Sequence, residues 1–223
     1  MRKEIVILAA IVVITISAAV VAVANLSDDP GNSQQIKSLS YDVKAQSRMT
    51  ALDAAGESVM LLHYSETPPS EYLFLEMPFD PDLNRRIDLG HVVHFTPPGP
   101  FIVNEILINA TYDNESGSQD YGYLPFALEL WGDNGNLLYK ITDISVAYFS
   151  TEPGLAIIEI PATKTDGDFT VVFYPRTAVA VGAYVGASNN MSFVVARDIG
   201  MSPALNPDGN SLEWAISVAG RDA

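Results

Sequence analysis

Leu212-Glu213-Trp214-Ala215-Ile216-Ser217-Val218 sets large apolar side chains at Leu212, Trp214, Ile216 and Val218 alternately with Glu213, Ala215 and Ser217. Successive side chains of a strand point to opposite faces, so this spacing predicts one face in a core and one outside it. Working outward, Phe169, Val171 and Phe173 alternate with Thr170, Val172 and Tyr174 just after the turn residues Asp166-Gly167-Asp168. That is a second core strand. Phe101 and Val103 share one parity while Ile106, Ile108 and Ala110 share the other. One extra residue at Asn104-Glu105 restores a common face, which predicts a β-bulge there. Leu128 to Trp131 and Leu137 to Ile141 flank Asp133-Asn134-Gly135-Asn136, and Asn-Gly between two apolar runs signals a hairpin.

Further strands are expected at Val59 to Tyr64, Tyr72 to Leu75, Val92 to Phe95, Leu155 to Ile160, Val181 to Val185 and Phe193 to Ala196. Helical spacing is nearly absent outside Ala45 to Ala55. Roughly ten strands suit two packed antiparallel sheets better than one open sheet, so the expected fold is an all-β, jelly-roll-like sandwich over residues 37–223. No fixed-period repeat points to a propeller or solenoid.

Ahead of the sandwich, Arg2 and Lys3 precede an apolar run from Ile5 to Ala24, and Asp28 and Asp29 follow it. About 20 apolar residues match the hydrocarbon core of a bilayer, and the basic flank places the N-terminus in the cytoplasm. The expectation is a single-pass anchor over residues 1–25 with the C-terminal domain outside the cell. Ala22-Val23-Ala24 also fits a signal-peptidase site, and cleavage after Ala24 would secrete the domain. A pilin-type leader is a third reading, for which Lys3-Glu4-Ile5 is a poor match. Residues 26–36, rich in Ser, Asp, Asn, Gly and Gln, read as a stalk. The sequons at Asn25, Asn109, Asn114 and Asn190 all follow the apolar run that ends at Ala24, where glycosylation machinery could reach them.

The formal net charge of -15 opposes contact with nucleic acid or anionic lipid headgroups. With no cysteine among 223 residues, disulfides, thiolate zinc sites and iron–sulfur clusters are excluded.

The stretch from His94 to Gly220 resembles a β-sandwich module of uncharacterised archaeal exported and membrane-anchored surface proteins. The resemblance rests on Phe95-Thr96-Pro97-Pro98, Pro100-Phe101-Ile102-Val103, Leu128-Glu129-Leu130-Trp131, Gly167 to Phe173, and Glu213-Trp214-Ala215-Ile216 with the closing Gly220. It implies a fold and no activity, and its likeness to carbohydrate-binding jelly rolls is one of shape.

His91 and His94 stand three apart in an expected strand, which sends them to opposite faces, and His63 is distant in sequence. The chain has no H-E-x-x-H, G-x-S-x-G or P-loop motif, so metalloprotease, serine hydrolase and nucleotidase chemistry lack their minimum parts. A glycosidase needs only two carboxylates, and 27 Asp and Glu residues leave that pairing open.

Structural calcium is the one cofactor the residues suggest. Asp113, Asn114, Glu115 and Asp120 crowd one loop and Asp133, Asn134 and Asn136 another, offering the hard oxygens calcium takes, although solvated turns explain the same residues. Tyr121, Tyr123, Trp131, Tyr148, Phe149 and Tyr184 lie in or beside loops, where aromatics serve either as stacking platforms for a sugar or as strand-end core. The expected function is a non-catalytic ectodomain that binds an extracellular glycan, an envelope component or a surface protein. The alternative is a structural subunit that self-associates through strand edges.

Overall fold

The computed structural model describes residues 48–52, 58–63, 65–75, 77–82, 84–112, 126–143, 147–176, 179–186 and 190–223. The expected anchor (1–25) and stalk (26–36) and residues 113–125 lie outside them. The described chain is all-β. Its strands are β1 (Arg48–Leu52), β2 (Ser58–Leu62), β3 (Glu71–Phe74), β4 (Phe79–Asp80), β5 (Arg85–Arg86), β6 (Leu89–Phe95), β7 (Phe101–Tyr112) and β8 (Phe126–Gly132). They continue as β9 (Leu137–Asp143), β10 (Gly154–Thr165), β11 (Phe169–Tyr174), β12 (Val179–Val185), β13 (Ser192–Ala196), β14 (Gly200–Pro203), β15 (Leu212–Trp214) and β16 (Ile216–Asp222).

Every pairing among them is antiparallel. One sheet runs β1-β2-β16-β7-β12-β15, with β10 also beside β7 and β3 beside β12. The other runs β14-β13-β6-β11-β8-β9, and β4 and β5 form a separate ribbon. A single core takes side chains from the inner faces of both sheets. Phe169 stacks on Phe95 of its own sheet at 5.1 Å and on Phe101 of the opposing sheet at 6.2 Å, so the aromatic stack crosses between the layers.

The parities read from the sequence hold. Leu212, Trp214, Ile216 and Val218 are buried, as are Phe169, Val171 and Phe173. The segment from Leu212 to Val218 nevertheless splits into two strands. At Ala215 the chain changes partner: its N–H donates to the Gly182 carbonyl of β12, while its own carbonyl accepts from Asn109 N–H of β7. The last strand thus wedges between β12 and β7 where these diverge.

The bulge is present as well. Ala219 pairs with Glu105 and Gly220 with Val103, which leaves Asn104 as the extra residue and puts Phe101, Val103, Ile106 and Ile108 on the core face. Gly220 sits where a Cβ would come within 2.0 Å of the Ile102 carbonyl oxygen, so only glycine lets β16 approach β7 there.

The hairpin between β8 and β9 forms as expected, with Gly135 at φ 73° donating its N–H to the Gly132 carbonyl. The helical spacing around Ala45 to Ala55 is overturned in part, because Arg48–Leu52 is strand β1 paired with β2. A short run takes its conformation from the edge it can pair with, which local spacing does not record. Strand β2 ends at Leu62, with His63 beyond it at φ 60°, and Tyr64, the expected end of this strand, lies outside the described residues.

Candidate ligand-binding face

The six-stranded sheet carries chemistry on the face turned away from the core. Inner positions of β8 are Phe126, Leu128 and Leu130, which leaves Ala127, Glu129 and Trp131 on the outer face. In β11 the outer set is Thr170, Val172 and Tyr174, and in β6 it is Gly90, Val92 and His94. Val92, Ala127, Val172, Tyr174 and Phe193 form a second, outer apolar cluster, with Trp131, Val195 and Met201 packed against it.

Charge surrounds this cluster. The Glu129 side chain is only 2% exposed, and its Oε1 receives Lys140 Nζ at 2.9 Å and Arg197 Nη2 at 3.0 Å. Its Oε2 accepts the Trp131 indole N–H at 3.1 Å. Burial pushes the Glu129 carboxyl up, but the Lys140 and Arg197 cations and their hydrogen bonds outweigh that and hold it below its ordinary value. Glu129 is therefore an ionised anchor with both oxygens occupied, the opposite of a carboxylic acid poised to give up a proton.

Arg197 also donates from Nε to Asp88 Oδ2 at 3.1 Å, where Arg176 converges from Nε at 2.8 Å. The second oxygen of Asp88 is buried and has no hydrogen-bond partner among the described residues. The Tyr174 ring lies across Gly90, where a Cβ would come within 2.9 Å of the ring. Burial raises the Tyr174 phenol well above its usual pKa, so it stays neutral.

Beside this locked network lies a more open row. Thr170 pairs with Trp131 on one side and with His94 on the other, so the three stand abreast across β8, β11 and β6. His94 Nδ1 is 3.2 Å from Thr170 Oγ1 and its Nε2 is 3.4 Å from Asp168 Oδ2. Leu137, opposite Trp131 on β9, extends the row with an exposed apolar side chain. A partly buried indole held at its N–H, with a hydroxyl, an imidazole and a carboxylate alongside, can stack on an apolar ligand face and hydrogen-bond its polar rim.

The residues singled out in the sequence fall in different places. Trp131 belongs to this row. Tyr184 is on the other sheet, where its hydroxyl donates to the Thr67 carbonyl, so the two aromatics do not form one platform. Tyr148 packs edge-on against Phe126 and donates to Asp143 Oδ2, while Phe149 is buried in the core. His91 points inward and His94 outward, as their spacing implies. His63 meets Glu213 through Nε2.

Tyr121, Tyr123, Asp113, Asn114, Glu115, Asp120 and Asn25 lie outside the described residues. Asp133 sits in the exposed hairpin turn, and among the described residues no three His, Asp or Glu side chains gather as a metal site. Asn190 is exposed at φ 51°. Asn109 lies within β7, half-buried, with its Oδ1 accepting from the Tyr72 hydroxyl at 2.7 Å.

Sequence reading missed Glu129, Tyr174, Arg197 and Asp88 as a unit. The available signal was parity: Glu129 sits between Leu128 and Leu130, and Tyr174 is out of step with Phe169, Val171 and Phe173. No protein-family model matches the chain, and no curated protein matches it in sequence.

Proposed function

We propose that the chain is a non-catalytic ectodomain, anchored in the membrane by residues 1–25 and displayed outside the cell, that binds an envelope glycan on the outer face of its six-stranded sheet. The cross-strand row of Trp131, Thr170 and His94 carries this reading. A pyranose ring presents an apolar C–H face to an indole and hydroxyls to the flanking polar groups, the complement of this row. The outer-face network supports it further. Glu129 fixes the indole edge, so little side-chain freedom is lost on binding, and such preorganisation favours affinity.

A jelly-roll-like architecture suits the same role. Strands β6 and β13, β7 and β12, and β8 and β11 pair in nested fashion, as in a long hairpin rolled onto itself. The test is retention of the full chain, solubilised in detergent, on immobilised cell-envelope polysaccharide. Trp131→Ala and His94→Ala should each weaken retention about tenfold, the order expected of a binding anchor. Absence of retention by the wild-type chain, or full retention by Trp131→Ala, would count against it.

A further inference from the structure

Among the described residues β10 is an edge strand, and only half of it is guarded. It pairs with β7 alone among them. Its C-terminal half carries several devices that discourage another strand from adding: Pro161, the irregular stretch between Glu159 and Thr163, and Lys164. The half from Gly154 to Ile158 has none. It is uncharged, its ladder to β7 is regular, and its outward side chains are Leu155, 46% exposed, and Ile157, 50% exposed. Its inward side chains, Ala156 and Ile158, are already buried.

The direction of the unused backbone groups follows from the ladder. Asn109 gives its N–H to Ala215 on the far side of β7, so its partner Leu155 forms a non-hydrogen-bonded pair with it and turns its own N–H and C=O away from β7. Alternation assigns the same direction to Ile157 and Glu159. The open half thus offers a row of hydrogen-bonding groups flanked by two exposed apolar side chains.

We propose that this half-strand pairs with the same half-strand of a second copy of the chain, antiparallel about Ala156, so that Leu155 of each copy faces Ile157 of the other. Self-complementarity selects this occupant: the chain carries a net charge of -15, but the strip from Gly154 to Ile158 is neutral, so two copies can meet there without setting like charges against each other across the paired strands. Pairing about Ala156 sets apolar against apolar, whereas pairing about Ile157 would set Glu159 against Leu155. An antiparallel pairing of identical segments is isologous and closes on itself, so it yields a dimer and not a filament.

The experiment is sedimentation of the full chain in detergent micelles, wild type against Ile157→Lys, with a melting curve for each. The expected result is a wild-type dimer and a monomeric Ile157→Lys that still unfolds in one cooperative transition, its midpoint lowered by no more than the lost association accounts for. A monomeric wild type, or a dimer indifferent to Ile157→Lys, overturns the proposal. Because the chain has no cysteine, a second test remains decisive even if Ile157→Lys folds poorly. Chains carrying Leu155→Cys mixed with chains carrying Ile157→Cys should form a disulfide-linked pair under mild oxidation, since the facing Cα atoms would lie about 5.5 Å apart. Failure to cross-link in the mixture, or equal cross-linking of either variant alone, contradicts the stated register.

Discussion

Arg197 lies over the Tyr174 ring with its guanidinium carbon 3.9 Å from the ring centroid. The same guanidinium reaches Glu129 and Asp88, so one side chain ties an aromatic to two carboxylates on the outer face of the six-stranded sheet.

Removing the centre of that network should be costly. Glu129→Ala leaves Lys140, Arg197 and the Trp131 N–H without their shared acceptor. Breaking a buried ion pair from one side costs about 3 to 5 kcal/mol. Partial exposure of Lys140 and Arg197 places the expected value at the low end, near 3 kcal/mol. Urea unfolding measures it, and a loss below about 1 kcal/mol would mean that solvent already screens the network.

Acid should destabilise the fold through His91. Its ring is buried edge-on against Trp214 at 4.4 Å, and burial pushes its pKa down from 6.5 to about 3, with the Phe173 and Leu73 carbonyls opposing only in part. The unfolded chain takes up a proton below about pH 6.5 while the folded chain resists until about pH 3, so this stability is complete above pH 6.5 and is lost as pH falls toward 3. Between pH 7.5 and pH 5 the loss should be about 2 kcal/mol. His91→Leu should flatten that slope. An unchanged slope in the variant would remove His91 as its source.

Trp214 is 1% exposed, with its indole N–H donating to the Phe193 carbonyl at 2.8 Å. Trp214→Ala should cost about 3 to 5 kcal/mol, the range for a fully buried aromatic. Trp131→Ala should cost clearly less, because its ring is only partly buried on the outer face. Equal losses in thermal or urea melts would contradict the assignment of the two tryptophans to core and outer face.

Gly90→Ala tests the seat of Tyr174. The added methyl meets the Tyr174 ring and Val172 Cγ1 near 3 Å, so the ring must lift and carry Arg197 with it. Overpacking of this kind costs about 1 to 3 kcal/mol, to be read from the shift in urea midpoint. No shift would show that the ring has room to move.

The strands and their core faces were legible because alternation at Leu212 to Val218 and Phe169 to Tyr174 is a local signal, and the parity change at Asn104 betrays the bulge from sequence alone. The outer-face site was not legible. Val92, Val172 and Tyr174 are buried on the face opposite the core, so alternation does not announce which outward residues are covered. Glu129, Asp88, Arg176 and Arg197 meet only because β8, β6 and the chain following β11 and β13 come together in space. Their sequence separations run to 109 residues, beyond any spacing rule. Trp131 was legible as an aromatic at a strand end, but its orientation stayed open in the sequence and was settled by the fold, which puts Leu128 and Leu130 in the core and Trp131 against the outer cluster.

Glycan binding at the Trp131 row is tested most directly by fluorescence. The chain has two tryptophans, so Trp214→Phe leaves Trp131 as the only indole reporter. Titrating that variant, in detergent, with soluble envelope oligosaccharide should shift Trp131 emission and shield it from acrylamide, in a saturable manner. Emission and quenching that stay constant up to millimolar oligosaccharide, while the variant retains its melting transition, would contradict a ligand at this face.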